Sequence, residues 1–241
     1  MVDPVDRHHP KADGPDFSLE QAALAHRPDL FASADRIVIG VDEAGRGPWA
    51  GPVTAAAAWI DPDHHQSLPP GLNDSKKLTA AKRQTLFQAL QTDRERVQAN
   101  VASASVETID RLGILKATFS AMDDAATALL QHHDPDKDVV VLVDGNLSPP
   151  FQRLTALLTR PPVIQPIIKG DSRSLSIAAA SIMAKETRDA IMVELDHQWP
   201  GYGWAENKGY GTAAHQSALA KQGVTPHHRR SFKPIQMLIS E

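Results

Sequence analysis

Short apolar runs recur along the chain and predict the strands of a sheet. The β-branched run 37–41 and the alanine-rich run 53–60 are separated by a turn of glycine and proline, and both are predicted to be buried strands. Residues 97–106 alternate small polar and apolar side chains, as a third strand does. The apolar runs 139–143 and 163–168 predict a fourth and a fifth strand.

Segments of helical periodicity separate these strands and follow the last of them. The threonine that opens segment 79–91 can cap a helix, and apolar side chains recur at helical spacing over 115–129. A long helix is predicted over 175–197, and a last one over 212–222 ends at a glycine. This order of elements predicts an α/β fold in which helices flank a mixed five-stranded sheet.

The N-terminal residues 1–34 differ in composition from the rest of the chain. Proline, histidine and aspartate dominate as far as Phe17, which predicts a flexible arm. Ser18 followed by Gln21 fits a capping box, so a short helix is expected within this arm. Residues 35–241 are predicted to form one catalytic domain that includes the C-terminal helices, because the prolines cluster in loops and mark no linker.

Composition excludes several classes of protein. The chain has 241 residues, with 25 Lys and Arg against 29 Asp and Glu, so a nucleic-acid site would have to be a local basic patch. It has no cysteine, which excludes disulfides, zinc–thiolate sites and thiol catalysis. No apolar run approaches the roughly 20 residues that span a bilayer, and the polar start does not resemble a secretory signal. We expect a monomeric, cytoplasmic protein that makes no membrane contact.

Acidic residues follow three of the predicted strands. Asp42 and Glu43 end the first strand, Asp144 ends the fourth, and Asp171 comes shortly after the fifth. Strands of an α/β sheet deliver their ends to one edge, where such proteins place their sites. Each acid taken alone could instead cap a helix or form a turn, as Asp144 could with the glycine that follows it.

Converging carboxylates repel one another unless cations neutralise them. Oxygen ligands without cysteine favour Mg²⁺ or Mn²⁺ over zinc. Two such ions about 3.5–4 Å apart can activate a water and stabilise the leaving oxygen of a phosphodiester. The four acids therefore predict a metal-dependent site for phosphodiester hydrolysis.

A glycine-rich loop follows the first acidic pair. Gly45 and Gly47 flank Arg46, so the backbone can approach another molecule closely while the guanidinium offers a forked donor to phosphate. A tight turn with one solvated arginine is the alternative. The loop lacks the Gly-Lys-Ser/Thr end of a phosphate-binding P-loop.

Several long motifs, in order, resemble the ribonuclease HII family, the type 2 ribonucleases H. They span about 36–232, nearly everything except the arm. The matching stretches are Gly40–Pro48, Ala50–Val53, Asp74–Leu78, Val143–Gly145, Lys169–Asp171, Ser176–Ile182, Ala184–Lys185, Lys208–Tyr210 and His228–Phe232.

The resemblance implies a ribonuclease-H-like fold whose metal site is built by Asp42, Glu43, Asp144 and Asp171. It implies hydrolysis of the RNA strand of RNA–DNA hybrids and incision 5′ of single ribonucleotides embedded in duplex DNA, with 3′-hydroxyl and 5′-phosphate ends. It also implies that the Gly45–Gly47 loop and Tyr210 sense the ribose 2′-hydroxyl.

The chain departs from the family pattern at two positions that bear on substrate affinity. Asn207 stands where a histidine is common, and Trp49 stands where a smaller aliphatic residue is usual. A structure-specific DNA nuclease on the same fold and a non-catalytic hybrid-binding module remain as alternative readings. The DNA nuclease would not need Arg46 between glycines or Tyr210, and the binding module would leave the three acid-ended strands unexplained.

Basic and hydroxyl side chains supply candidate phosphate contacts. The C-terminal helical segment, residues 200–241, carries five basic and two acidic side chains and is predicted to bind substrate. Further candidates are Lys76 with its neighbour Lys77, Lys169 and Ser172. Solvated surface and helix capping are the alternatives for these residues. The adjacent histidine pairs, such as 227–228, are expected at the surface rather than on zinc.

Overall fold

The structure, a computed structural model, describes residues 14–25 and 36–240. Five strands form one mixed sheet in the order β3-β2-β1-β4-β5, which confirms the predicted fold class. The strands are β1 (Arg36–Ala44), β2 (Val53–Ile60), β3 (Val97–Ala104), β4 (Asp138–Asp144) and β5 (Val163–Ile167).

The directions of the strands determine which ends meet. Strand β2 runs antiparallel to both β1 and β3, whereas β1 pairs with β4 and β4 with β5 in parallel. The carboxyl ends of β1, β4 and β5 therefore lie at one edge of the sheet. That edge is where the predicted acidic residues occur.

Nine helices of the described chain surround or extend the sheet. They are α1 (Ser18–Leu24), α2 (Ala80–Thr92), α3 (Val106–Leu112), α4 (Ile114–Leu130), α5 (Gln152–Leu157), α6 (Leu175–Gln198), α7 (Trp204–Asn207), α8 (Ala213–Gln222) and α9 (Lys233–Ile239). The cap predicted for α2 is present, because the Thr79 hydroxyl accepts a hydrogen bond from the Lys82 N–H, and Thr212 caps α8 in the same way through the His215 N–H. No helix of the described chain is long and apolar enough to cross a membrane.

The sequence did not predict the short helices α3, α5, α7 and α9. The third strand was predicted to continue to residue 106, but it ends at Ala104. Ser105 then caps α3 by accepting a hydrogen bond from the Thr108 N–H. The local cap outcompetes the alternating pattern because it satisfies an N–H that a helix start otherwise leaves unpaired.

Opposite faces of the sheet pack against different helices. On one face Ala55 and Ala57 of β2 share a core with α4, and on the other Ala56 and Ala58 pack against α6. Because successive strand residues point to opposite faces, the alanine-rich run lets helices approach closely on both sides. This is why a fully buried strand can consist of small side chains.

Helix α6 lies against β1 at a glycine. A Cβ atom at Gly40 would come within 2.3 Å of the Ile177 backbone nitrogen and of the Ser176 carbonyl carbon. Only a hydrogen atom fits there, so the first turn of α6 rests directly on the strand that ends in Asp42. Small side chains of α6, such as Ala179 and Ala180, are buried in the core on this face of the sheet.

Residues 14–25 pack on the domain, which differs from the loose attachment predicted for the arm. Phe17 is buried and its ring stacks on His65 at 4.4 Å between centroids. The predicted capping box is wrong, because Ser18 is already helical and its N–H donates to the Asp16 carboxylate instead. The remainder of the predicted arm, residues 1–13 and 26–34, lies outside the described residues.

Gly40→Ala is expected to lower the free energy of unfolding by about 2–3 kcal/mol, because the added methyl group collides with backbone atoms of α6 that cannot move independently. Gly14→Ala is the matched control, since its Cβ would meet no atom closer than 3.6 Å. Urea denaturation of both variants measures the effect. An equal, small change in the two midpoints would contradict this account of the α6 contact.

Candidate active site

The strand register brings three acidic side chains together. Val41 of β1 pairs with Val143 of β4, so Asp42 and Asp144 leave adjacent parallel strands at the same level. Asp171 lies in a single 3-10 turn, Gly170–Ser172, just beyond β5. One oxygen atom from each of these three carboxylates lies within 4.8 Å of the others. We call Asp42, Asp144 and Asp171 the carboxylate cluster.

Glu43 borders this cluster rather than joining it. Its carboxylate faces Arg46, with Oε1 at 3.2 Å from Nη1, while its backbone N–H donates to Asp42 Oδ1 at 2.7 Å. Burial raises the pKa of Glu43, the positive charge of Arg46 opposes that rise, and the negative charge of Asp144 adds to it. Of the four predicted acids, the structure thus groups three and places the fourth beside them.

The cluster is electrostatically unfavourable by itself. Burial raises the pKa of Asp42 well above its ordinary range, and the charges of Glu43 and Asp144 raise it further. Burial, followed by the charges of Asp144 and Asp74, raises the pKa of Asp171 to about 6. Carboxylates that hold protons this strongly gain from any cation that replaces the proton.

Backbone and hydroxyl groups hold the cluster in shape. The Gly170 N–H donates to Asp144 Oδ1 at 2.7 Å, which ties the end of β4 to the turn that carries Asp171. A Cβ at Gly170 would lie 2.5 Å from Ile177 Cδ1 and 3.2 Å from Ile167 Cβ, so the turn packs tightly against these two side chains. Ser181 of α6 lies close enough to Asp42 to oppose the rise in its pKa, so that helix borders the cluster.

The glycine-rich loop and Tyr210 form one exposed surface beside the cluster. Gly45 has a φ of +95°, and a Cβ at Gly47 would stand 3.4 Å from the Tyr210 ring. The Tyr210 side chain is 50% exposed, and Arg46 is also open to solvent while it pairs with Glu43. The loop predicted from sequence and the predicted tyrosine are therefore neighbours.

Two buried arginines brace this surface, a role that the sequence did not predict for either of them. Arg229 donates to the carbonyl oxygens of Gly45 (2.6 Å) and Arg46 (3.0 Å), and Arg188 donates to those of Pro52 (2.9 Å) and Lys208 (3.1 Å). They join the glycine loop to the segment that carries Tyr210.

As one of the five basic residues of the C-terminal segment, Arg229 is predicted from sequence to bind substrate. This prediction is wrong, because the side chain is fully buried. Burial, with the charge of Arg188, lowers the pKa of Arg229 to about 9. Its neighbour Arg230 is exposed, and nothing in the His228–Phe232 motif distinguishes the two arginines from sequence alone.

A buried histidine pair fixes the backbone of Tyr210. Trp204 Nε1 donates to His215 Nε2 at 3.2 Å, which leaves the proton of His215 on Nδ1 for the Tyr210 carbonyl oxygen at 3.0 Å. His228 lies against His215 with 3.0 Å between their Nε2 atoms and accepts the Thr225 N–H at Nδ1. The surface position predicted for His228 is wrong because it is fully buried in this network.

The two positions that depart from the family pattern support the same turn. Asn207 accepts the Gly209 N–H at 2.8 Å and donates to the Tyr202 carbonyl oxygen at 2.8 Å. The Trp49 N–H donates to the Gly209 carbonyl oxygen at 2.8 Å, and the Trp49 ring packs where Gly211 lacks a side chain. Both residues act on the conformation of the turn that presents Tyr210.

The predicted basic and hydroxyl contacts lie near the cluster. Lys76 as a whole is exposed. Partial burial of its ammonium group lowers its pKa, but the negative charges of Asp42, Asp74 and Asp171 outweigh this effect and raise the pKa overall. Lys77 donates to Ser172 Oγ at 2.8 Å.

Asp74 begins the Asp74–Leu78 motif, but the sequence did not predict it as a site residue. Its negative charge raises the pKa of both Asp171 and Lys76, so it lies near the cluster. Ser172 Oγ lies 3.4 Å from Asp171. Lys169 is exposed, with a left-handed backbone at φ +56°.

A mixed five-stranded sheet with clustered carboxylates at the ends of parallel strands defines a nuclease of the ribonuclease-H-like class. The model of the family "Ribonuclease HII" matches residues 39–235. Ribonuclease HII of Ruegeria sp. (strain TM1040) is 50% identical over 227 residues, which cover 94% of this chain and 88% of the relative. The chain belongs to the ribonuclease HII family and is a metal-dependent endoribonuclease.

Solved structures of related proteins share the fold. Ribonuclease H2 from Pyrococcus horikoshii OT3 has a TM-score of 0.66 and 26% identity, and the match covers 85% of this chain and 97% of that one. The Bst ribonuclease HIII in complex with Mn²⁺ has a TM-score of 0.67 and 20% identity, over 86% and 70% of the two chains. At that identity the second likeness concerns the fold alone.

Acidification tests the buried histidine network. Burial and the neighbouring His215 lower the pKa of His228 from 6.5 to about 4. As the pH falls from 6.5 towards 4, the unfolded chain takes up a proton that the folded His228 excludes, so folding loses stability.

The free energy of unfolding of the wild type should therefore fall, relative to that of His228→Gln, by up to about 1.4 kcal/mol per pH unit in this window. Other titrating groups are present in both proteins and cancel in the difference. Denaturation curves at pH 7, 6 and 5 measure it. A stability difference that stays constant with pH would contradict the assignment of a neutral, buried His228.

Proposed function

We propose that this endoribonuclease hydrolyses the RNA strand of RNA–DNA hybrids and incises 5′ of single ribonucleotides in duplex DNA. The products carry 3′-hydroxyl and 5′-phosphate ends. The observation that carries the proposal is the position of the carboxylate cluster directly beside the exposed surface of Arg46, Gly47 and Tyr210. The carboxylate cluster suits phosphodiester hydrolysis, and the exposed surface beside it suits contact with a sugar.

The cluster fits divalent cations. Its donors are carboxylate oxygens, which suit Mn²⁺ and Mg²⁺, and three of them lie within 4.8 Å of one another. Burial and the charge of Asp144 raise the pKa of Asp171 to about 6, which supports a site that gains from a positive partner. Asp42, Asp144 and Asp171 would hold the metal, and Glu43 beside them would complete a two-ion site. When bound, the ions supply an activated water and stabilise the leaving 3′-oxygen.

The chain's own groups position the substrate around this site. Lys76 is exposed and lies in the negative field of the cluster, so its ammonium can hold the phosphate that approaches the acids. Ser172 and Lys77 are joined at 2.8 Å and offer a second phosphate contact. Lys169 is exposed just before Asp171 and offers a third.

Tyr210 would recognise the 2′-hydroxyl that distinguishes RNA from DNA. Its half-exposed phenol can hydrogen-bond to that hydroxyl while the ring packs on the neighbouring deoxyribose. Gly47 contributes no side chain, which leaves the ring face next to the loop open to a sugar. The bonds from His215 and Arg188 to the Tyr210 segment keep the ring in place before substrate arrives.

The monomeric state and the cytoplasmic location stay predictions of the same proposal. So does a phosphate-binding role for the exposed basic residues of the C-terminal segment, Lys221, Arg230 and Lys233.

A DNA duplex that carries one ribonucleotide tests the proposal directly. With Mn²⁺ or Mg²⁺, we expect a single cut on the 5′ side of the ribonucleotide and no cut in the matching all-DNA duplex. Asp42→Asn and Asp144→Asn should each slow cleavage by at least about 10³-fold, because each removes a charge that the cluster supplies to the metal. Gel mapping of the product ends measures both effects.

Asp63→Asn is the control, because Asp63 is exposed just beyond β2, which runs antiparallel to β1 and therefore ends at the opposite edge of the sheet from the cluster. This variant should cut at the wild-type rate. Equal cleavage of the all-DNA duplex would favour a structure-specific DNA nuclease instead. Retained cleavage by Asp144→Asn would remove the cluster from the mechanism.

A further inference from the structure

Helix α1 places a buried acid against the segment that follows the active-site turn. Glu20 is only 1% exposed, although α1 precedes residue 39, where the match to the family model begins. Burial of a carboxyl group is costly unless it receives hydrogen bonds. The groups that donate hydrogen bonds to Glu20 therefore indicate which segment of the chain this residue holds in place.

Within the described chain, all the hydrogen bonds of the Glu20 carboxylate converge on the start of α6. Its Oε1 atom accepts from Ser174 Oγ at 2.6 Å, from Ser176 Oγ at 2.7 Å and from the Ser176 N–H at 2.9 Å. Its Oε2 atom has no hydrogen-bond partner there. The positive end of the α6 dipole favours an acid at this position.

The backbone of the same N-terminal segment reinforces this contact. Asp16 forms a parallel bridge with Ser174, in which the Asp16 N–H donates to the Arg173 carbonyl oxygen at 3.3 Å and the Leu175 N–H donates to that of Asp16 at 3.2 Å. Residues 16–20 thus hold residues 173–176 by side chain and by main chain. We call residues 16–20 the N-terminal clasp.

A continuous set of hydrogen bonds connects the clasp to the carboxylate cluster. Glu20 accepts from the Ser174 hydroxyl, and the Ser174 N–H donates to the Gly170 carbonyl oxygen at 2.8 Å. The Gly170 N–H in turn donates to Asp144 Oδ1 at 2.7 Å, and Asp171 is the next residue. The same peptide turn is therefore fixed from the arm on one side and from the cluster on the other.

The sheet blocks movement of this segment in the opposite direction. A Cβ at Gly40 would lie 2.5 Å from Ser176 Oγ, so Ser176 already touches β1. Ser176 is confined between Gly40 and Glu20. If Glu20 is removed, the start of α6 can move only away from the sheet, and Asp171 moves with it.

We propose that Glu20 is a positioning residue of the active site, which holds Asp171 and Asp144 at the spacing that a divalent cation requires. The inference rests on the proposed function, in which these carboxylates bind the metal. It adds the N-terminal clasp, predicted from sequence to be part of a flexible arm, to the machinery of the site.

Mn²⁺ titration calorimetry and hydrogen exchange of the metal-free protein test the inference without reference to activity. Glu20→Leu removes every acceptor and should weaken Mn²⁺ binding about tenfold, as loss of a group that orients a metal ligand does. Amide exchange at Ser174 should accelerate in the same variant. Glu20→Gln keeps an acceptor oxygen and should stay within about threefold of the wild-type affinity.

Leu130→Ala is the control for a general loss of stability. Leu130 is buried at the end of α4, before the strand β4 that runs towards the cluster, so its loss should destabilise the fold and leave Mn²⁺ affinity unchanged. Equal weakening of Mn²⁺ binding by Leu130→Ala and Glu20→Leu would overturn the inference, as would wild-type affinity in Glu20→Leu. If Glu20→Leu does not fold, Ser176→Ala removes the partner hydroxyl and carries the same expectation.

Asp171→Asn separates this inference from the function on which it rests. If Asp171→Asn loses Mn²⁺ binding while Glu20→Leu retains it, only the positioning role fails. If Asp171→Asn binds Mn²⁺ like the wild type, the proposed metal site itself is wrong.

Discussion

Mutual repulsion among three carboxylates that the fold forces together is the constraint on which the rest of this structure depends. Parallel pairing of β1 with β4 and of β4 with β5 brings Asp42, Asp144 and the turn of Asp171 to one edge. Burial then raises the pKa of Asp42 and of Asp171, and their acidic neighbours raise it further. The scaffold must therefore hold these groups against a force that separates them, and a divalent cation relieves that force.

Close packing and buried hydrogen bonds supply the holding force. Gly40 and Gly170 let the start of α6 contact both β1 and the cluster without intervening side chains. On the substrate side, the guanidinium groups of Arg188 and Arg229 donate hydrogen bonds to backbone carbonyl oxygens and so are not available to nucleic acid. Such buried cations are stable only when their hydrogen bonds are made, so they favour one conformation of the loops they join. The charged groups that shape this site and the charged groups that act in it are different residues.

Patterns that recur along the sequence predicted the strands and the acids at their ends. Contacts between residues that are far apart in sequence could not be predicted in this way. Apolar runs located all five strands, and the acids at their ends pointed to Asp42, Asp144 and Asp171, because strand direction alone brings such ends together. Arg229 and Arg230 look alike in sequence, but only the fold places Gly45 and Arg46 within reach of one of them. The role proposed for Glu20 likewise depends on hydrogen bonds from serines more than 150 residues away in sequence, and no local sequence pattern predicts such a contact.

Anomalous diffraction from crystals soaked in Mn²⁺ tests the central claim most directly, because it locates the ion without reference to catalysis. The account predicts a manganese peak at the carboxylate cluster, with oxygens of Asp42, Asp144 and Asp171 about 2.1 Å from it. Well-ordered manganese elsewhere on the protein, with the three carboxylates left without an ion at saturating Mn²⁺, would contradict it.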